Sequence, residues 1–200
     1  MFQKGLKMKN GTLIILNGTS SSGKTSIVQA LQNRLETPYL EAGLDKFLWM
    51  LPKRYFERPL WDDVLGLATK AGKTGNTLVL GMHQAIEGLV RSGNSVIADH
   101  VLVEASWWQD CIERFSDLPA YLVGVRCDLD VLEEREKTRR DRTLGQARAQ
   151  FALVHGFGIY DIEVDTARYT ADECALQIIK RLSMKEPPFA LREMKHRKLG

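Results

Sequence analysis

The chain has 200 residues, of which 44% are hydrophobic and 26% charged, with a net charge of +3. That is ordinary for a globular protein and enough for one domain, or one domain with a lid. The excess charge sits at the ends: Lys4, Lys7 and Lys9, then five basic against two acidic residues over 185–200, so the body is acidic and offers no nucleic-acid face.

The basic ends, 1–10 and 184–200, are expected to be solvated, mobile extensions of a single domain spanning 11–183. Cys111, Cys127 and Cys174 form no Cys-x-x-Cys pair, and their odd number argues against a disulfide framework. No apolar run approaches the ~18 residues of a membrane span, and the start lacks the apolar segment of a signal peptide. A cytoplasmic protein with reduced thiols and no membrane partner is expected.

Leu13-Ile14-Ile15-Leu16-Asn17 reads as a buried strand, and it runs directly into Gly18-Thr19-Ser20-Ser21-Ser22-Gly23-Lys24-Thr25. That octet is a complete phosphate-binding loop, which requires a strand before it and a helix after it. Residues 26–36 supply the helix, with Ile27, Val28, Leu31 and Leu35 at helical spacing. Glycines at 18 and 23 allow backbone angles and close approach that a side chain would obstruct. The N–H groups of residues 18–26, ending on Ser26, and the positive end of the helix form an anion site. Lys24 is placed to reach the β- and γ-phosphates and Thr25 to hold Mg²⁺. The chain is therefore read as binding a nucleoside triphosphate.

Residues 38–45 read as a second strand ending on Asp45. The stretch 46–75 is irregular, with Phe47, Trp49, Met50, Tyr55, Phe56 and Trp61, and with turns at 61–63 and 72–75. A helix over 78–90 precedes a third strand, Ser95 to Val101, which contains Asp99 near its end. A helix over 107–115 and a fourth strand over 120–127 follow, the latter apolar throughout as a doubly covered strand should be. Next comes one long charged helix from about 130 to 150, then an alternating strand over 160–165 that suits a sheet edge. Thr170 and Glu173 form a capping box for the last helix, which Pro187 and Pro188 end. Strands alternating with helices imply a parallel sheet covered on both faces, with the site at the carboxyl ends of the strands.

Asn-Lys-x-Asp is absent, and Asp63-Val64-Leu65-Gly66 has no strand before it, which argues against a GTP switch. What is left is a small kinase. The chain resembles the chloramphenicol phosphotransferase family, relatives of the shikimate and nucleoside monophosphate kinases, from about Leu13 to Leu182. The resemblance rests on Ile15 to Gly18 entering the loop, Gly43-Leu44-Asp45 with Pro52, and Val123 to Asp128. It continues through Arg135-Glu136, Arg139, Asp141-Arg142, Gln150, Val154-His155 and Tyr160 to Thr166.

The resemblance implies a P-loop NTPase fold of class α/β, a three-layer α/β/α sandwich around a five-stranded parallel sheet, nucleoside-monophosphate-kinase-like. An arginine-rich helical lid is expected at about 135–150 and an acceptor-covering segment at about 46–75. It also implies that Asp45 accepts the proton of the substrate hydroxyl, the residue's other reading being a helix N-cap. Asp99 stands where a carboxylate would hold Mg²⁺ through water, or is a surface acid at a turn. Arg139 and Arg142 would clamp the transferring phosphoryl group and Arg135 the nucleotide, unless the segment is simply a solvated helix supported by pairs such as Glu136–Arg140. Arg126 supports the nucleotide or pairs with Asp128, and His100 contacts substrate or is packed.

The cofactors implied are ATP and Mg²⁺, and the partner is a small-molecule alcohol, with chloramphenicol the leading acceptor and antibiotic resistance the consequence. Two other readings stay open. One is a zeta-toxin-like kinase of a nucleotide sugar, which Lys53, Arg54 and Arg58 would serve. The other is a nucleotide-binding regulatory domain without turnover.

Overall fold

A computed structural model of the chain describes residues 9–65, 69–138, 145–156 and 158–198. The strands β1 (Leu13–Asn17), β2 (Tyr39–Glu41), β3 (Ser95–His100), β4 (Ala120–Arg126) and β5 (Ile162–Asp165) form one sheet in the order β2-β3-β1-β4-β5. Every pairing is parallel. Among the described residues the helices are α1 (Lys24–Arg34), α2 (Leu44–Leu48), α3 (Leu60–Val64), α4 (Lys73–Arg91), α5 (Ala105–Phe115), α6 (Leu129–Thr138), α7 (Gln146–Phe151), α8 (Ala171–Leu182) and α9 (Ala190–Lys198).

Alternation along β1 divides the core. Leu13 and Ile15 join Val96, Trp107 and Phe115 on one face of the sheet. Ile14 and Leu16 join Ile27, Leu31 and Ile178 on the other. Because successive side chains of a strand point to opposite faces, an unbroken apolar run serves both layers at once. In register, Asn17 lies opposite both His100 and Gly124, so the carboxyl ends of the three central strands meet at one rim.

The sheet, its parallel sense and the capping box at Thr170 and Glu173 agree with the sequence reading. Several local readings do not. Asp45 is neither a strand end nor an N-cap: β2 stops at Glu41, Gly43 is the N-cap of α2, and Asp45 lies in that helix's first turn. The turns read at 61–63 and 72–75 are α3 and the start of α4. The Asp63 carboxylate accepts the Lys73 and Thr74 amides at 2.9 and 3.1 Å, so a distant acid caps α4. The single helix read over 130–150 is two, α6 and α7. Gly145 enters α7 with φ of 90°, and the buried Glu136 carboxylate accepts the Gly145 and Ala147 amides at 2.7 and 3.0 Å. Glu136 therefore caps α7, and Arg140, its expected helical partner, lies outside the described residues.

The basic end does not stay solvated along its length. Ala190, Leu191 and Met194 of α9 are buried in the core layer of α5, and Lys195 donates to Ser116 Oγ at 3.1 Å. Asp161 anchors this docking. Its carboxylate accepts the amides of Leu122 at 2.8 Å, Phe189 at 2.6 Å and Ala190 at 3.3 Å, and Arg181 lies 3.7 Å away. Asp161→Ala strands these buried donors and is expected to cost about 3 kcal/mol, read as a lowered urea midpoint at unchanged slope.

Candidate active site

The phosphate-binding loop follows from two steric facts. A Cβ at Gly18 would lie 2.6 Å from the Val125 carbonyl oxygen, and Gly23, at φ of 83°, is the left-handed entry to α1. Ser21 also holds positive φ, 62°. The Ser20, Ser21 and Ser22 hydroxyls are buried with no hydrogen-bond partner among the described residues. Lys24, first residue of α1, curls over the loop and donates to the carbonyls of Gly18 at 2.9 Å and Thr19 at 2.7 Å. Thr25 Oγ1 donates to Asp99 Oδ2 at 3.4 Å.

Three residues to which the sequence reading gave no role brace this loop from far along the chain. Gln150 Oε1 accepts the Ser20 amide at 2.8 Å, joining α7 to the loop. Thr166 Oγ1 donates to the Ser22 carbonyl at 2.9 Å. Asn17 Nδ2 donates to the Val154 carbonyl and the Tyr160 hydroxyl, while its Oδ1 accepts the Leu102 amide. No local pattern exposes these contacts, since they span from 85 to 144 residues. Arg135 joins the same group: Nη1 and Nη2 donate to Thr166 Oγ1 at 3.1 Å and Thr166 O at 2.7 Å.

A cleft of about 470 Å³ opens over the loop. Residues 20–26, Arg135, Gln150 and Thr166 line it. Asp45, Asp99, Leu48, Trp61, Lys70, Val103 and Trp107 line it as well. The structure thus brings together Asp45, Asp99, Lys24, Thr25, Ser26 and Arg135. Arg139 and Arg142 fall outside the described residues. A smaller cavity adjoins it, bounded by Thr25, Glu41, Lys46 and Trp49 as well as both acids. The backbone is close there, because a Cβ at Gly43 would lie 3.3 Å from the Asp99 side chain.

The aromatic segment divides in two. Trp61 lines the cleft and packs with Phe56, which stacks on Trp49 at 5.0 Å, whereas Trp49 and Met50 stand more than 70% exposed. Arg126 pairs with Glu163 at 2.6 Å rather than with Asp128, and stacks over the Tyr160 ring. His100 does not line the cleft. It is 1% exposed, and burial followed by the neighbouring His83 holds its imidazole well below the ordinary range.

His155 Nδ1 accepts the Tyr160 hydroxyl at 2.7 Å. Burial, and then Arg126, depress its pKa from 6.5 to about 4, while burial pushes Tyr160 up to about 12. Between those two His155 values the unfolded chain binds more protons than the folded one. Stability is therefore full above pH 6.5 and is lost as pH falls toward 4. Urea midpoints measured from pH 7 to 4.5 should fall, and His155→Gln should make the slope shallower.

The site suits a nucleotide. Buried hydroxyls without partners cost free energy unless a ligand meets them, and phosphate oxygens are acceptors for hydroxyls, amides and Lys24 alike. A threonine hydroxyl beside one carboxylate suits Mg²⁺, which keeps several waters and takes few protein ligands. Among the described residues no three His, Cys, Asp or Glu side chains converge on a metal position.

Residues 11–183 match the family described as chloramphenicol phosphotransferase-like protein. Two Mycobacterium tuberculosis proteins, provisionally named O-phosphotransferases, are 31% identical over 206 residues, covering 96% of this chain and 92% of theirs. In fold, the chain is similar to a Janibacter sugar kinase (TM-score 0.66, 15% identity, 88% of this chain and 96% of that one). It is similar also to the Mycobacterium tuberculosis APS kinase (TM-score 0.64, 15% identity, 88% and 99%). The chain belongs to the chloramphenicol phosphotransferase-like family and is a small-molecule kinase.

Proposed function

We propose that the protein transfers the γ-phosphoryl group of ATP to a hydroxyl of a small apolar alcohol, with the 3-hydroxyl of chloramphenicol the best single candidate. The observation that carries this reading is one cleft lined by the phosphate-binding loop, by Asp45 and by a set of apolar side chains. The family match and the O-phosphotransferase name of the mycobacterial relatives support an oxygen acceptor.

Asp45 orients the acceptor hydroxyl and takes its proton as the oxygen–phosphorus bond forms and the bond from the γ-phosphorus to ADP breaks. Lys24 and the loop amides balance charge on the phosphate oxygens, and Arg135 flanks the loop from Thr166. Arg139 and Arg142 are proposed to clamp the transferring group. Thr25 and Asp99 would hold Mg²⁺, which when bound offsets the negative charge of the phosphates. The reaction belongs to the cytoplasm, where its consequence is inactivation of an antibiotic.

The acceptor's polarity follows from the lining. Leu48, Trp61, Leu65, Val101, Val103 and Trp107 present little to hydrogen-bond, and polyol hydroxyls set against these side chains would lack partners, which favours an aromatic alcohol. Lys53, Arg54 and Arg58, the basic groups counted toward a nucleotide-sugar acceptor, are not among the residues lining the cleft, whereas Lys70 and Arg135 are. ADP release should therefore depend on chloramphenicol and stay at background with gluconate or shikimate. Equal turnover on the polyols would refute the apolar assignment.

A further inference from the structure

Two imidazoles lie in the apolar layer below the cleft, each 1% exposed: His83 in the middle of α4 and His100 at the end of β3. The backbone amide of Val101 donates to His100 Nδ1 at 2.8 Å. A backbone amide can only donate, so that nitrogen carries no proton and Nε2 carries it. His100 Nε2 lies 2.9 Å from His83 Nε2, which must then accept, leaving His83 Nδ1 to donate to Asp110 Oδ2 at 2.8 Å. Asp110 is held by Arg114 Nε at 2.9 Å, and Arg114 Nη1 pairs with Glu87 at 2.9 Å.

Each donor in this chain meets one acceptor. The remaining neighbours are Cys111 Sγ, 3.5 Å from His83 Nε2, and the rings of Trp107 and Phe115. Packing alone does not require the pair, since apolar residues of similar volume fill such a layer at lower desolvation cost. What the pair grips is the main chain at the site. The His100 carbonyl accepts the Gly18 amide at 3.3 Å, and the preceding residue, Asp99, accepts the Thr25 hydroxyl.

We propose that His83 and His100 are positioning residues, a hydrogen-bonded relay that anchors the end of β3 on α4 and α5 and thereby holds the Asp99 carboxylate toward Thr25. The proposal rests on the reading of Asp99 as a Mg²⁺-facing group. Partners that orient a metal-facing residue contribute about 10- to 100-fold in metal affinity, so loosening the relay should weaken the part of nucleotide binding that depends on Mg²⁺.

The test is calorimetry of ADP binding to the full chain with and without Mg²⁺. His83→Leu is expected to lose about tenfold or more of the affinity that Mg²⁺ adds, with Mg²⁺-free ADP binding unchanged. His83→Gln should retain the gain, because one amide can accept from His100 and donate to Asp110. If His83→Leu does not fold, Asp110→Ala unhooks the relay at its solvent end and should reduce the gain at least threefold.

An undiminished gain in the leucine or alanine variant, or a loss in His83→Gln equal to that in His83→Leu, overturns the relay. Asp99→Ala, run in parallel, separates the two readings. If it keeps the Mg²⁺ gain, the metal reading of Asp99 fails; if it alone loses the gain, only the relay fails.

Discussion

Asp45→Asn is expected to lower kcat by about 10²-fold or more, with ATP affinity within about twofold of wild type. The substitution keeps the shape of the first turn of α2 and removes only the basicity of the group. Asp45 lines the cleft but belongs to α2 and not to the loop, so the loss should fall on the chemical step and leave the nucleotide's own contacts in place. Steady-state kinetics paired with a direct ATP titration separates the two. A proton acceptor predicts reduced kcat at constant ATP Kd, whereas a merely structural acid predicts that both move or neither does.

Lys24→Met is the second large effect, with kcat/KM expected to fall about 10²- to 10³-fold. The ammonium is buried at the loop and directed at the Gly18 and Thr19 carbonyls, the position from which it can meet phosphate oxygens as their charge redistributes. Methionine keeps much of the aliphatic stem and its packing, so the melting temperature should change little. Unlike Asp45→Asn, this variant should also bind ATP more weakly, because the charge contacts the donor itself. If Lys24→Met turned over at the wild-type rate, the loop would not be the phosphate site.

What could be read from residues alone was the part of the site that is contiguous in the chain. Strand, loop and helix over residues 13–34 follow from an apolar run, two glycines and a helical period, all local signals. The parallel sense of the sheet also follows, from strands that alternate with helices.

The misread elements share a physical cause: their capping partner lies elsewhere in the sequence. Lys73 and Thr74 look like a turn until Asp63 caps them, and residues 130–150 look like one helix until Glu136 folds back onto the start of α7. Asp45 was read as a strand end because Pro38 to Leu44 is largely apolar, yet only Tyr39–Glu41 pairs with β3. The docking of α9 was hidden by its charge. Its apolar stripe is short, and the anchor that makes it useful, Asp161, precedes it by about thirty residues.

His100 illustrates the same limit within the site. By itself it is a lone histidine after an acid. Only the fold places His83 and Asp110 in line behind it and turns the Val101 amide onto Nδ1, which settles that Nε2 carries the proton.

Direct detection of a phosphoester tests the central claim most closely. Wild type and Asp45→Asn are each incubated with chloramphenicol and Mg-ATP, and the product is identified by mass spectrometry with nucleotide binding measured alongside. A phosphorylated alcohol from wild type, strongly reduced from Asp45→Asn although both bind ATP, is the predicted result. Phosphorylation undiminished by the substitution, or ATP binding with no phosphoester from chloramphenicol or from any other apolar alcohol tested, would contradict it.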